Sequence, residues 1–187
     1  MGDFMDFYEL MDHEFKEVEV TPNKSGYVVD RQGIKLCCKF NTFKSVDYLY
    51  ESNDKLHLIE FSDLAKHHIA VLQKIERFKE CNLDKSLIRD NVKRLHREIC
   101  NEIKTKYIHS LSILKSLPKH VENVPVWAQV DCGRLVIVVA PPPSDMDESG
   151  KQDVFRVLEK LKDDLTSSIP DEIFRGVKVQ QVENFFS

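Results

Sequence analysis

Apolar positions along this chain fall into two rhythms, and the change from one to the other divides it. Phe4, Phe7, Tyr8 and Met11 recur at helical spacing, which predicts a short amphipathic helix over residues 3–12. Strand-length runs follow. Tyr27 to Val29 begins a strand, Asp30-Arg31-Gln32-Gly33 reads as a hairpin-type turn, and Ile34 to Phe40 continues as its partner. Val46 to Tyr50 is a further strand, Ser52-Asn53-Asp54 a turn, and Leu56 to Phe61 a buried strand. Together these predict an antiparallel meander.

After Ser62-Asp63, either of which suits an N-cap, the period lengthens. Ile69, Leu72, Ile75 and Phe78 keep a helical repeat from about Leu64, and Asn82 to Asp84 interrupts it. A longer helix follows, with Leu87, Ile88, Val92, Leu95, Ile99, Ile103, Tyr107, Leu111 and Leu114 on one stripe, and Pro118 ends it. Val124 to Val130 is expected as a strand, Asp131 to Arg134 as a tight turn and Leu135 to Ala140 as a buried strand. Residues 141–150 form a polar loop led by three prolines. Val154, Val157, Leu158 and Leu161 mark a last helix, and alternation from Val177 to Val182 marks an edge strand. The order predicts an α/β fold, a mixed central sheet flanked by helices, in one domain spanning residues 1–187.

Composition narrows the class. The chain is 42% apolar and 31% charged, which excludes a disordered chain, a collagen-like fibre and a disulfide miniprotein. The longest apolar run, Leu135 to Ala140, is far short of a membrane span, and the N-terminus carries acid rather than a basic leader, so no membrane association is expected. Five cysteines with no C-x-x-C spacing read as reduced thiols in a cytoplasmic protein, and no second clustered pair offers a zinc site. Cys37 and Cys38, adjacent in an expected strand, are predicted to face opposite ways. The net charge of −4 conceals a segregation: residues 1–63 carry net −6, residues 64–120 net +7 and residues 121–187 net −5. The basic middle suits an anionic partner, or simply a solvated helical face that pairs with the acidic ends.

The residues with chemistry to offer lie on the predicted hairpin. Glu60 and Ser62, two apart on one strand, share a face, and Asp47 sits on the strand before. The two carboxylates are expected to converge at one end of the sheet, where hard oxygens suit Mg²⁺ or Mn²⁺. A metal so held activates water and offsets the charge that develops on a phosphodiester.

This hairpin resembles the core of the PD-(D/E)XK nuclease-like superfamily, the restriction-endonuclease fold. The motif there is an Asp, a turn of about this length, then apolar residues leading into E-x-K. Here it reads Asp47, then Ile59-Glu60-Phe61-Ser62, and Glu102 to Leu111 looks like the charged helix that follows the motif in many members. The resemblance spans roughly residues 28–140. It implies a restriction-endonuclease-like core with Asp47 and Glu60 as metal ligands. The third position departs from the pattern: it is Ser62, and serine cannot supply the lysine's charge. Some members take that lysine from elsewhere, often the next helix; Lys66, one turn on, is the candidate and Lys39 the second. Glu14 or Glu17 are possible further ligands.

The resemblance and the missing lysine together favour a degenerate nuclease-like domain, an accessory or inhibitory module binding nucleic acid or protein. The alternative is a live Mg²⁺-dependent nuclease using Asp47, Glu60 and a migrated lysine. Either way the basic helices of residues 64–120 are the expected nucleic-acid surface, with Lys93, Arg94, Arg97, Lys104 and Lys106 on it. A purely structural role remains for Glu60, as partner to Lys106 or Arg97.

Other features carry less. His67 and His68 diverge on a helix. Asp145-x-Asp147-x-Ser149-Gly150 opens like an EF-hand loop but meets Arg156 where the closing Glu belongs. Tyr107 is expected in the core. Phe185-Phe186 is either a docked tail or a partner contact, and six glycines include no phosphate-binding loop.

Overall fold

The computed structural model describes residues 2–64 and 85–187. Its centre is a mixed six-stranded sheet ordered β2-β3-β4-β5-β7-β8. Strands β2 (Tyr8–Leu10), β3 (Ser25–Val28), β4 (Tyr48–Ser52) and β5 (Lys55–Ser62) pair antiparallel. Strands β7 (Gly133–Val139) and β8 (Phe174–Gln181) extend the sheet in parallel with β5, each after a helical crossover. A separate two-stranded ladder joins β1 (Gly2–Asp3) to β6 (Val121–Glu122).

The two faces are covered differently, and the sequence alternation dictates how. Leu56, Leu58, Leu135, Ile137, Val177 and Val179 point to the face covered by helices α2 (Lys85–Ser116) and α3 (Glu148–Ser168). Helix α2 meets it with Cys100, Ile103, Tyr107, Leu114 and, just past its end, Leu117, a three-four repeat. Tyr107 is fully buried and its hydroxyl bonds Gly133 O (2.8 Å) and Ile173 O (2.5 Å), so it ties α2 to the starts of β7 and β8. On the other face Tyr48, Ile59, Val136 and Val138 are covered by Met11, Phe15 and helix α4 (Val182–Phe186). Phe185 and Phe186 are therefore a docked tail, Phe186 stacked on Phe61 and Phe185 edge-on to it, with Lys24 donating to Phe185 O.

Three local expectations are corrected. Residues 3–12 are not one helix: Asp3 caps a single 3-10 turn, Phe4–Phe7, and the chain then extends into β2. Ile34 to Phe40 is not a strand. It is the one-turn helix α1 (Ile34–Cys37), closed by Lys39 in the left-handed region (φ 63°), and β4 takes the place beside β3. Gly33 sits so close under Val28 O that a Cβ would clash at 2.3 Å, so the chain turns tightly here instead of pairing. Cys37 and Cys38 accordingly lie at the end of a helical turn rather than on opposite faces of a strand. Val124 to Val130 also fails as a strand, because Pro125 leads into a 3-10 turn, Val126–Ala128. The expected helix from Leu64 to Phe78 and the break at Asn82 to Asp84 lie outside the described residues.

Candidate functional site

Asp47 stands one residue before β4, where regular pairing with β5 fails. Tyr48 is opposite Ile59 in the ladder. Asp47 instead donates its own N–H to Ile59 O (3.0 Å), its carbonyl accepts Val29 N–H (2.9 Å), and its Oδ2 accepts Phe61 N–H (2.7 Å). The side chain thus acts as the acceptor that the ladder lacks, which fixes the carboxylate beside the end of β5.

Glu60 is on that end of β5, 3% exposed, pointing to the α2 face. Lys106 reaches it from α2: Nζ lies 2.5 Å from Glu60 Oε1. The second oxygen, Oε2, is buried with no hydrogen-bond partner. Ser110, one helical turn beyond Lys106 and fully buried, accepts Val46 N–H (3.0 Å) and donates to Lys106 O (2.8 Å). It pins the helical turn bearing the lysine to the residue preceding Asp47.

The electrostatics follow from burial. Desolvation pushes the Asp47 carboxyl up to about 6, against the pull of Phe61 N–H and of the Lys106 ammonium. Desolvation, and then the charge of Asp47, push Glu60 up to about 8 despite Lys106. Burial disfavours charge on Lys106, but Glu60 outweighs it and raises the lysine's pKa. Two carboxyls that repel each other, one of them with an oxygen that has no hydrogen-bond partner among the described residues, are thus held at one end of β5.

The donor set fits a hard divalent ion held by few protein ligands. Among the described residues no group of three or more His, Cys, Asp and Glu gathers as a closed cage. Mg²⁺ is commonly bound by one or two carboxylates with water and substrate phosphate completing the shell, and Asp47 with Glu60 Oε2 offers that pair. Glu14 acts on Asp47 through space but is exposed and ion-paired with Arg31 at 2.8 Å. Glu17 lies apart, lining with Phe15, Asp63 and Pro141 a cavity of about 450 Å³. Asp30, which also raises Asp47, is paired with Lys35.

The remaining expected residues are spread out. Ser62 ends β5 on the face of Glu60, opposite Val139. Lys66 lies outside the described residues, as do His67 and His68. Lys39 is exposed at the end of α1 and has no hydrogen bond or ion pair with either carboxylate. Lys93, Arg94 and Arg97 are exposed on α2, where Arg94 pairs with Glu98 at 2.9 Å. Lys104 is half-buried and donates to Ser168 O (2.5 Å), tying α2 to α3. Lys106, expected on a nucleic-acid surface, points inward to Glu60. Sequence reasoning looked for the motif lysine at Lys66 or Lys39 and gave Lys106 to Glu60 only as a structural partner; that pairing is the one observed, made by a helix that returns over the same face 44 positions beyond Ser62. The available signal was the α2 stripe itself, since Ile103, Tyr107 and Ser110 set which neighbours face the sheet. No protein-family model, no curated protein and no solved structure matches this chain.

Proposed function

We propose that this chain is a divalent-metal-dependent nuclease, hydrolysing a phosphodiester at Asp47, Glu60 and Lys106. The observation that carries the reading is the Lys106 ammonium seated on Glu60 Oε1 while Oε2 stays unpartnered. It supports the resemblance to the PD-(D/E)XK superfamily at the one position where the sequence departs from it, with Lys106 rather than Lys66 as the migrated lysine. Asp47 and Glu60 would hold Mg²⁺ or Mn²⁺, which when bound lowers the pKa of water and screens phosphate charge. Glu60 gives up its proton on loading and keeps Lys106 on Oε1. The ammonium stays fixed beside the reacting phosphate and stabilises the negative charge that builds there. Lys93, Arg94 and Arg97 lie on the helix that carries Lys106, and Arg97 is about 14 Å from it along the axis at 1.5 Å per residue. Nine residues turn Arg97 to the side of α2 away from Lys106, and as exposed cations on that helix Lys93, Arg94 and Arg97 support a polyanion such as nucleic acid as the substrate class.

The second reading is the degenerate domain, which binds nucleic acid or a protein without cutting. Ser62 at the motif position favours it, as does the narrowness of the opening beside Asp47, a cavity of about 10 Å³. The deciding experiment incubates wild type, Glu60→Gln and Lys106→Met with plasmid, linear and single-stranded DNA and with RNA, in Mg²⁺ and in Mn²⁺. Cleavage by wild type that falls about 10²-fold or more in both variants is expected, with unchanged circular dichroism. No cleavage by wild type, together with no metal-dependent shift in thermal unfolding, overturns the catalytic reading.

A further inference from the structure

The sheet end remote from Asp47 and Glu60 carries a second concentration of charge. The β4–β5 turn, the start of β7 and the start of β8 enclose a cavity of about 590 Å³, the size of a small-ligand pocket. Lys55, His57, Arg134 and Arg175 line it, and Asp54 is the one carboxylate among its lining residues. The fold brings these cations together from three strands. His57 is directly opposite Arg134 in the parallel β5–β7 ladder. The β7–β8 register shifts between Gly133 and Leu135, and Gly176, at φ 100°, has open space where a side chain would stand. At this irregularity Arg175 Nε meets Cys132 Sγ at 3.1 Å on the cavity wall.

Elsewhere on the surface three arginines find carboxylates, Arg31 with Glu14, Arg94 with Glu98 and Arg156 with Asp153, while Arg97 donates to Lys93 O. Among the described residues, Lys55, Arg134 and Arg175 are in no ion pair. Glu51, which acts on His57 through space, accepts Asp54 N–H at 2.7 Å and so braces the turn, in which Asn53 and Asp54 are both left-handed. His57 registers the local field: burial, then Arg134, with Lys178 and Lys55 behind it, hold its pKa below the ordinary histidine value, against the pull of Glu51. Two guanidinium groups free of carboxylates on one cavity wall with a half-buried imidazole suit a phosphoryl group, which takes forked N–H donors. We propose that this cavity is a binding site for the phosphate of a nucleotide unit, with Arg134 and Arg175 as its principal donors. It does not rest on the nuclease reading.

The test uses the full chain in EDTA, titrated calorimetrically with pyrophosphate, a nucleoside diphosphate and a 5′-phosphorylated hexanucleotide. Saturable binding is expected, weakened about tenfold or more in the Arg134→Ala/Arg175→Ala double variant and unchanged in Arg156→Ala, which removes a surface arginine ion-paired with Asp153 outside the cavity lining. Tightest binding of the diphosphate identifies a free nucleotide as ligand, and of the hexanucleotide a strand end. A second measurement needs no variant: occupancy should slow alkylation of Cys132, read by peptide mapping, without slowing that of Cys37. Absence of saturable binding by all three probes, equal affinity in the double variant, or unaltered Cys132 alkylation at saturation overturns the proposal. Cleavage by wild type is a separate readout, so either site can fail without the other.

Discussion

Replacing Glu60 with Gln tests the electrostatics of the candidate site directly. In the folded chain this carboxyl titrates at about 8, against an ordinary 4.5. Between those values the folded protein holds a proton that the unfolded chain has released. A raised carboxyl pKa therefore adds stability that is fully present below pH 4.5 and lost as pH climbs towards 8. At 1.36 kcal/mol per pH unit the ceiling is about 5 kcal/mol, and water penetration and relaxation bring the expectation to about 2–4 kcal/mol. For a chain of this size that is a fall in Tm of about 5–15 °C between pH 5 and pH 8.5. Asp47, titrating at about 6, adds a smaller slope that is complete at lower pH. Glutamine keeps an acceptor for Lys106 Nζ and cannot ionise, so its profile should be flatter and should lie above wild type at pH 8.5. The measurement is thermal unfolding by circular dichroism in EDTA across that range, repeated with Mg²⁺, which binds the ionised form and should recover stability at the alkaline end of wild type only. Parallel wild-type and Glu60→Gln profiles, or a wild type that gains stability from pH 5 to pH 8.5 in EDTA, would refute the reasoning.

Two further substitutions address how the site is held. Tyr107→Phe removes the hydroxyl bonded to Gly133 O and Ile173 O and leaves buried carbonyls short of a donor; urea unfolding should register a loss of about 1–3 kcal/mol. Ser110→Ala strips Val46 N–H of its acceptor beside Asp47, costing about 1–2 kcal/mol in the same assay and lowering Mg²⁺ affinity by calorimetry more than Tyr107→Phe does.

The parts of this fold legible in the sequence are those whose signal is local. Leu56 to Phe61 and Leu135 to Ala140 are buried on both sides and read as strands without help from neighbours. The α2 stripe likewise declared its helix to within two or three residues at each end. The errors come where close tertiary approach overrides an apolar run. Ile34 to Phe40 has strand composition, yet Gly33 packed under Val28 O forces a turn that begins a helix. Phe4 to Met11 has helical spacing, yet its aromatics are used one at a time: Phe4 stacks on Tyr27 at 4.2 Å, while Met11 lies on the opposite face of the sheet. The carboxylates were legible because a hairpin relates them over 13 residues. The lysine was legible as a structural partner of Glu60 but not as the motif lysine, since the contact is made across 46 positions by helix docking.

That difference bears on what kind of site this is. A lysine at position 62 would leave β5 on the face of Glu60 and would be delivered by the strand alone. Serine there removes the charge from the strand, and the same face is crossed by α2, from which, among the described residues, the ammonium arrives. Its arrival depends on anchors set around it: Tyr107 at the next position, tied to Gly133 O and Ile173 O, Ser110 one turn on, tied to Val46 N–H, and Lys104 two positions back, tied to Ser168 O. Three hydrogen-bonded anchors on both sides of Lys106 leave the ammonium little freedom of approach and hold it on Glu60 Oε1. A lone structural ion pair would not need the partner carboxylate to keep an unsatisfied buried oxygen, since a second donor or a glutamine would lower the desolvation cost. Under the proposed reading a cation would complete the retained acid, its Oε2 and the anchored lysine, so a Mg²⁺-dependent rise in thermal stability that Glu60→Gln abolishes separates that reading from a structural Glu60–Lys106 pair, which predicts none.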